Sequence, residues 1–311
     1  MSFASTAKDE LTRKTDAKLC CDRAELAAII HINGSIEISK QHMALNINTQ
    51  NAGIARRLYT TLRDRFGIAA RIYARRNSRL AKLNAYLVAI HEPEAVQKLL
   101  EALFLDEFSL TGRHEIPAKL VRKPCCRRAY LRGAFLASGS INDPESHSYH
   151  LELVTGWEEH AQALIYLLAG FGLKAKMIER KGAHVVYLKD SDQIADFLTL
   201  VGAHKAMLDF ENARILKETR NNVNRLVNCE TANLNKTVEA SLQQVEAIRL
   251  LGQKMGFDRL TPGLRMAAEV RVAYPDSSLQ ELAEILGISK SAMNHRLRKL
   301  RELAGERSSD Q

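Results

Sequence analysis

Apolar and polar positions along the chain run through one series of periods and then run through it again. Residues 23–32 (RAELAAIIHI) form an apolar run of helical length. After it, His42–Thr49 (HMALNINT) alternates with the period of a strand. Helical spacing resumes over Asn51–Phe66 with Ala55, Leu58 and Leu62, and Phe66-Gly67 closes it. Strands are expected at Ile68–Ala74 and Asn84–Ile90, then a helix at Glu94–Phe104. The same order returns from Arg128. An apolar run spans Arg128–Ala137 and a strand Ser148–Thr155, followed by a helix at Trp157–Phe171 with Ala161, Leu164 and Leu168. Strands at Leu173–Glu179 and His184–Lys189 and a helix at Ser191–Val201 complete it. Each half reads as αββαββα, which predicts two sheets with helices on one face, an α+β domain.

The two series share residues as well as periods. KLCCDRAELAAIIHINGSI (18–36) and KPCCRRAYLRGAFLASGSI (123–141) are identical at nine of 19 positions, at a constant offset of 105 residues. A unit of this length is too long for a solenoid repeat. It predicts two similar halves joined across a pseudo-two-fold axis. Small residues recur every four positions, Ala24 and Ala28 in one copy, Ala129, Gly133 and Ala137 in the other. That spacing lets two helix backbones approach closely. Gly34 and Gly139 are expected to end the two helices as left-handed caps.

From Lys205 the repetition stops. Residues 205–255 read as helical, and Asn221, Asn224, Asn228, Thr231 and Asn235 fall on one stripe of that helix. Asparagine is a poor interior helix former. Asn224, Arg225, Asn228 and Lys236 therefore contact phosphates or dock one domain on another, or else the segment is a polar connector.

Residues 277–302 (SSLQELAEILGISKSAMNHRLRKLRE) carry the clearest mechanics. Ser278 and Glu281 form a capping box. Leu279, Leu282, Ile285 and Leu286 supply an apolar face, Ala283 permits a close crossing, and Gly287 turns the chain. Ser289 caps a second helix whose Met293, Leu297, Leu300 and Ala304 share one face. Its other face carries Ser291, Asn294, His295 and Arg298, flanked by Lys290, Lys299 and Arg301, with no acid between Glu284 and Glu302. This is the pattern of a helix-turn-helix with a basic recognition helix. Arginine and asparagine suit bidentate base contacts, and the lysines suit phosphates.

Charge agrees with that reading. The 311 residues carry a formal net charge of +9, which favours an acidic partner such as nucleic acid. Arg71, Arg75, Arg76, Arg79 and Lys82 make a basic hairpin in the first half, as do Lys174, Lys176, Arg180 and Lys181 in the second. Glu37 and Glu152 interrupt this face, so it is either a phosphate surface or a solvated one. The start MSFASTAKDELTRK has no apolar core of a signal peptide, and the longest apolar runs are too short to span a bilayer. A cytoplasmic, nucleoid-associated protein without membrane partners is expected. The five cysteines form two adjacent pairs plus Cys229. Adjacent cysteines lack the spacing by which one loop chelates zinc. They read as small buried hydrophobes or as one four-cysteine site drawn from both repeats; no metal or cofactor is assigned.

The doubled helix resembles the LAGLIDADG motif of homing endonucleases, aligned on Leu26–Gly34 (LAAIIHING) and Leu131–Gly139 (LRGAFLASG). In that family the penultimate position is an acid on each helix, and the two carboxylates hold the metal that assists strand cleavage. Here those positions are Asn33 and Ser138, so no catalytic residue is assigned. A degenerate LAGLIDADG pair followed by a helix-turn-helix resembles the WhiA family. The segments that carry the likeness are the CC-x-RA-x-L repeats, YLRGAFLASGSINDPESHSYHLE (130–152), RNNVNRLVNCETANLNK (220–236) and SLQELAEILGISKSAMNHRLRKL (278–300). The resemblance implies a helix-turn-helix domain like sigma-factor region 4 and binding to double-stranded promoter DNA. It further implies transcription regulation in cell division, chromosome segregation and sporulation, with RNA polymerase or another regulator as further partner.

The expected organisation is a tail or helix over 1–18, a duplicated domain over 19–204 (repeats about 19–110 and 124–204) and a helical connector over 205–237. A helix-turn-helix domain over 238–305 and a flexible end at 306–311 follow. The expected function is non-enzymatic DNA-binding regulation. Its rivals are a metal-dependent DNA endonuclease and a protein-interaction scaffold.

Overall fold

The computed structural model describes residues 2–14, 18–39, 42–76, 84–105 and 114–305, apart from the side chains of Ser39, His42, Arg76 and Asn84. The chain divides into two compact units, residues 1–217 and 218–311.

The first unit is built on the doubled stretch. Helix α1 (Phe3–Thr12) precedes α2 (Leu19–Asn33), and β1 (Gly34–Ser39), β2 (His42–Thr49), α3 (Ala52–Phe66), β3 (Arg71–Arg76), β4 (Asn84–Ile90) and α4 (Pro93–Ala102) follow. The second half repeats this order. It comprises α5 (Pro124–Ser138), β5 (Ser140–Ile141), β6 (Leu151–Thr155), α6 (Glu158–Ala169), β7 (Lys176–Arg180), β8 (Ala183–Leu188) and α7 (Ser191–Val201). Both sheets are antiparallel and share one strand order, β1-β2-β4-β3 and β5-β6-β8-β7. Tyr73 pairs with Leu87 in the first, and Lys176 with Tyr187 in the second.

Helices α2 and α5 lie at the centre of the core, and most of their side chains are buried. A methyl group added at Gly133 would lie 2.4 Å from the Glu25 carbonyl oxygen and 2.9 Å from the Ala28 methyl. The small-residue spacing thus does what it predicts: it removes the atoms that would hold two backbones apart. Charge is buried at the same crossing. Glu25 of α2 accepts from Arg57 of α3 (Nη2–Oε2 3.0 Å) and from Arg132 of α5 (Nε–Oε2 2.5 Å). All three side chains are at most 10% exposed. A buried carboxylate needs such partners, since its desolvation is otherwise uncompensated.

Two expectations are corrected. Gly34 and Gly139 are not left-handed caps: their φ/ψ angles, −82°/146° and −64°/143°, are extended. Each helix runs directly into a strand, and glycine is needed for space. An added Cβ would lie 2.4 Å from the Ile30 carbonyl oxygen at Gly34, and 2.1 Å from the Phe135 ring at Gly139. The strands also start later than their apolar alternation suggests, β3 at Arg71, β6 at Leu151 and β7 at Lys176. Before β3 and β7, left-handed Gly67 (φ 65°) and Gly172 (φ 81°) first turn the chain. Ile68 and Leu173 then donate backward to Leu62 and Leu168 and are buried as plugs before pairing begins.

A polar chain crosses between the halves. The Tyr130 hydroxyl of α5 lies 3.2 Å from His31 Nδ1 of α2 and 3.0 Å from His160 Nε2 of α6. His160 Nδ1 meets Thr155 Oγ1 at 2.9 Å. The rings of His31 and His160 stack at 4.0 Å. With one proton, the tyrosine hydroxyl donates to one imidazole and accepts from the other. Burial, with His114 nearby, pushes His31 down to about 4. Burial, then His31 and His114, pushes His160 down to about 2.

The second unit contains most of one long helix. Helix α8 (His204–Met255) begins in the first unit, where the Glu10 carboxylate accepts from Lys205 N and Ala206 N at 2.8 and 2.9 Å. The division between units falls within this helix. Helices α9 (Pro262–Ala273), α10 (Leu279–Ile285) and α11 (Lys290–Ala304) follow and pack on its last turns, with Ala247, Ile248, Leu251, Ala267, Leu282 and Leu297 in a separate core.

Two outcomes are expected from this architecture. Gly133→Ala should cost about 1–3 kcal/mol by overpacking, whereas Gly156→Ala, with open space at its Cβ, should change stability by less than about 0.5 kcal/mol. Urea unfolding followed by the fluorescence of Trp157, the chain's one tryptophan, reads this unit. The two depressed histidines bind protons in the unfolded chain before they do in the folded one. Stability is therefore intact above the ordinary histidine value of about 6.5 and is lost as pH falls toward about 4, by about 1.4 kcal/mol per pH unit for each ring. The same fluorescence titration, repeated across that range, measures the slope.

Candidate nucleic-acid interface

The geometry of the last two helices follows from local chemistry. Ser278 Oγ accepts from Glu281 N at 3.3 Å, and the Glu281 carboxylate accepts from Ser278 N at 2.7 Å, so the capping box is closed on both sides. The backbone hydrogen bond from Ser278 holds the Glu281 carboxyl below its ordinary range. Gly287 makes the turn in the left-handed region at φ 65°. Ser289 Oγ then caps α11 by accepting from Ala292 N at 3.2 Å. Met293, Leu297, Leu300 and Ala304 are buried, as their spacing predicts.

The opposite face of α11 is open. Lys290, Ser291, Asn294, His295, Arg298 and Lys299 are exposed, and Arg301 is half-buried. Arg298 and Lys299 each reach Glu302, at 3.7 and 3.1 Å. These are surface pairs near the C-terminal end, weak enough to open for a phosphate. Arg296, by contrast, is turned inward and donates to the Gly263 carbonyl at 3.3 Å. The turn itself is held by a residue that the sequence pattern does not single out. Arg271 is buried, and its Nη1 donates to Ser277 O (2.7 Å), Pro275 O (3.3 Å) and Ser241 Oγ (3.2 Å). Burial lowers its pKa from the ordinary arginine value. It gathers the loop carbonyls before α10 and so fixes that helix against α9.

In the first unit, Arg71, Tyr73 and Arg75 project from one face of β3 and are exposed. Tyr73 is paired with His91 at 3.3 Å. The Arg76 side chain, Arg79 and Lys82 lie outside the described residues. In the other sheet, Lys176 and Arg180 are on β7, but Lys174 is not on a strand: it precedes β7, and its N–H donates to Gln193 Oε1 at 2.7 Å. Glu152 meets Arg180 at 3.5 Å and His150 at 3.3 Å, which lowers the positive charge there. Asn224, Arg225, Asn228 and Lys236 are exposed on α8, in a stretch that is regular helix.

The positions that correspond to the nuclease acids are both occupied by hydrogen bonds of the fold. Asn33 Nδ2 donates to the Ala137 carbonyl at 3.1 Å, and Ser138 Oγ accepts from Val154 N at 3.0 Å. Both line a cleft of about 450 Å³ together with Lys8, Gln50 and Asn51, and none of its described lining residues is a carboxylate. Lys8 comes from α1, which no motif marks as part of a site. Its burial lowers it to about 8, so at neutral pH it is still mainly an ammonium. Glu37 and Asp143 do not line the cleft.

Fold and interface together define a duplicated LAGLIDADG-like domain joined to a helix-turn-helix domain. Residues 19–106 match the WhiA N-terminal LAGLIDADG-like domain, 127–220 the WhiA LAGLIDADG-like domain, and 223–304 the WhiA C-terminal HTH domain. The chain belongs to the WhiA family. It is 48% identical over 307 residues to a probable cell division protein WhiA from Oceanobacillus iheyensis, covering 98% of this chain and 97% of that one. To the protein of the same name from Desulforamulus reducens it is 49% identical over 308 residues, covering 98% and 95%. Its fold is that of full-length DUF199/WhiA from Thermatoga maritima, with a TM-score of 0.59, 23% identity and 98% of each chain covered.

Proposed function

We propose that this protein is a non-enzymatic, DNA-binding transcription regulator acting in cell division, chromosome segregation and sporulation. The observation that carries the reading is the basic face of α11, which has no acid from Lys290 to Arg301 and is held outward by an intact capping box, turn and buried face. Ser291, Asn294, His295 and Arg298 read base edges of promoter DNA, and Lys290, Lys299 and Arg301 bind phosphates. Arg71, Arg75, Lys174, Lys176, Asn224, Arg225, Asn228 and Lys236 provide secondary contacts, to DNA or between domains. The name that the relatives carry, probable cell division protein, supports the cellular role. RNA polymerase or a second regulator is the further partner, and the nucleoid is the place of action. No described helix is long and apolar enough to cross a membrane.

The same reading makes the LAGLIDADG-like domain a scaffold rather than a nuclease. A hard divalent cation needs anionic oxygen ligands. The cleft offers four side-chain amides, two hydroxyls and an ammonium in their place.

Arg298→Ala should weaken binding to the preferred promoter site by about 1–3 kcal/mol and relax base preference there. Fluorescence anisotropy at fixed salt measures it, and unchanged affinity would remove Arg298 from the interface. Supercoiled plasmid incubated with the full-length protein and magnesium or manganese should stay intact. Metal-dependent linearisation would restore the endonuclease reading.

A further inference from the structure

The four paired cysteines converge on one point. Cys20 and Cys21 lie in the first turn of α2, Cys125 and Cys126 in the first turn of α5. Their four sulfur atoms all lie within 4.8 Å of one another. Cys21 and Cys126 are buried, Cys20 and Cys125 half-buried, and all are thiols rather than disulfides. Small hydrophobic filling does not require four sulfurs from two halves of a chain to meet. Adjacent cysteines cannot chelate zinc from one loop, but the pseudo-two-fold axis brings a second pair to the first.

We propose that this cluster binds a single zinc ion as a tetrathiolate, two ligands from each half of the duplicated domain. Zinc–sulfur bonds of about 2.3 Å place the sulfurs of a tetrahedron about 3.8 Å apart, so closure needs shifts of less than about 1 Å. Four sulfur donors with no oxygen among them select a soft cation and exclude magnesium or calcium. An iron–sulfur cube attaches its four thiolates to four separate irons and needs them spread wider than one central atom does. The surroundings balance the charge of a tetrathiolate. The positive ends of α2 and α5 point at the sulfurs, and Lys18 and Lys123 are the residues that begin those helices. A cleft of about 690 Å³, lined in part by Cys21, Cys125, Lys14 and Arg128, gives the ion a way in. Bound there, zinc joins residues 105 positions apart and fastens the two helix starts together.

The test uses the full-length, tag-free protein purified under reducing conditions. Elemental analysis and non-denaturing mass spectrometry should find one zinc per chain. Zinc should be lost in the Cys20→Ser/Cys125→Ser double variant and retained in Cys229→Ser, whose thiol is exposed on the second unit. Cobalt exchanged into the wild-type protein should give thiolate charge-transfer bands and the visible bands of a tetrahedral site. Should the double variant not fold, the cobalt spectrum of wild type and the metal content of Cys125→Ser decide the matter. The proposal is overturned by protein that takes up neither zinc nor cobalt while its thiols react freely, by a disulfide between the halves, by iron with inorganic sulfide, or by zinc that persists in the double variant.

Discussion

The backbones of α2 and α5 meet at Gly133, and the placement of the first unit's other elements depends on that contact. With no side chain there, the Glu25 carbonyl of the facing helix can sit where a methyl group would otherwise be. Close approach brings Glu25 within reach of Arg132, His31 within reach of Tyr130, and Asn33 within reach of Ala137. Each of these pairs crosses between halves. Each of them would lose a hydrogen bond in or beside the core if the helices stood a few ångströms further apart. Packing and polar satisfaction therefore impose the same geometry, which is how a duplicated chain arrives at one arrangement rather than several.

The second unit solves a different problem. A recognition helix must be held firmly by one face while the other remains wet. Its buried face does the holding, with Met293, Leu297 and Leu300 fully enclosed. The polar work of closing the loop is moved back to Arg271, away from the exposed residues. On α11, Arg296 is tied inward to Gly263, whereas Arg298 and Lys299 make only exposed pairs with Glu302.

Much of this was legible in the sequence, and the reasons for the rest are physical. Periods of two and of three to four residues located three helices and three strands in each half, because burial on one face writes itself into residue order, but they did not single out β1 and β5, the strands that follow α2 and α5 directly. Caps at Ser278 and Ser289 were legible because their bonds reach only three residues along the chain. Gly34 and Gly139 were legible as helix ends but not in their conformation, since crowding at Ile30 and Phe135 is a property of packed side chains. Lys8 in the cleft and Arg271 behind the turn carry no local signature at all. Their partners come from elements far off in sequence, and an isolated lysine or arginine in a helix reads as surface. The helix-turn-helix face was visible residue by residue, because it lies within one helix and depends on what is absent from it as much as on what is present.

Duplication with shared burial has a consequence for biosynthesis. Helix α2 is complete at Asn33, yet the face carrying Glu25 and Ala28 meets its partner only when Gly133 of α5 is in place. Its counterpart lies 105 residues later in the sequence. At ribosomal rates of about 5–20 residues per second, the nascent first half waits roughly 5–20 seconds before its partner exists. During that interval the first half lacks the helix that fits it, and the α2 of another copy is a poorer substitute, because it carries Ala28 where α5 has Gly133. One missing methyl group thus favours pairing of the two halves within a chain over pairing of like halves between chains.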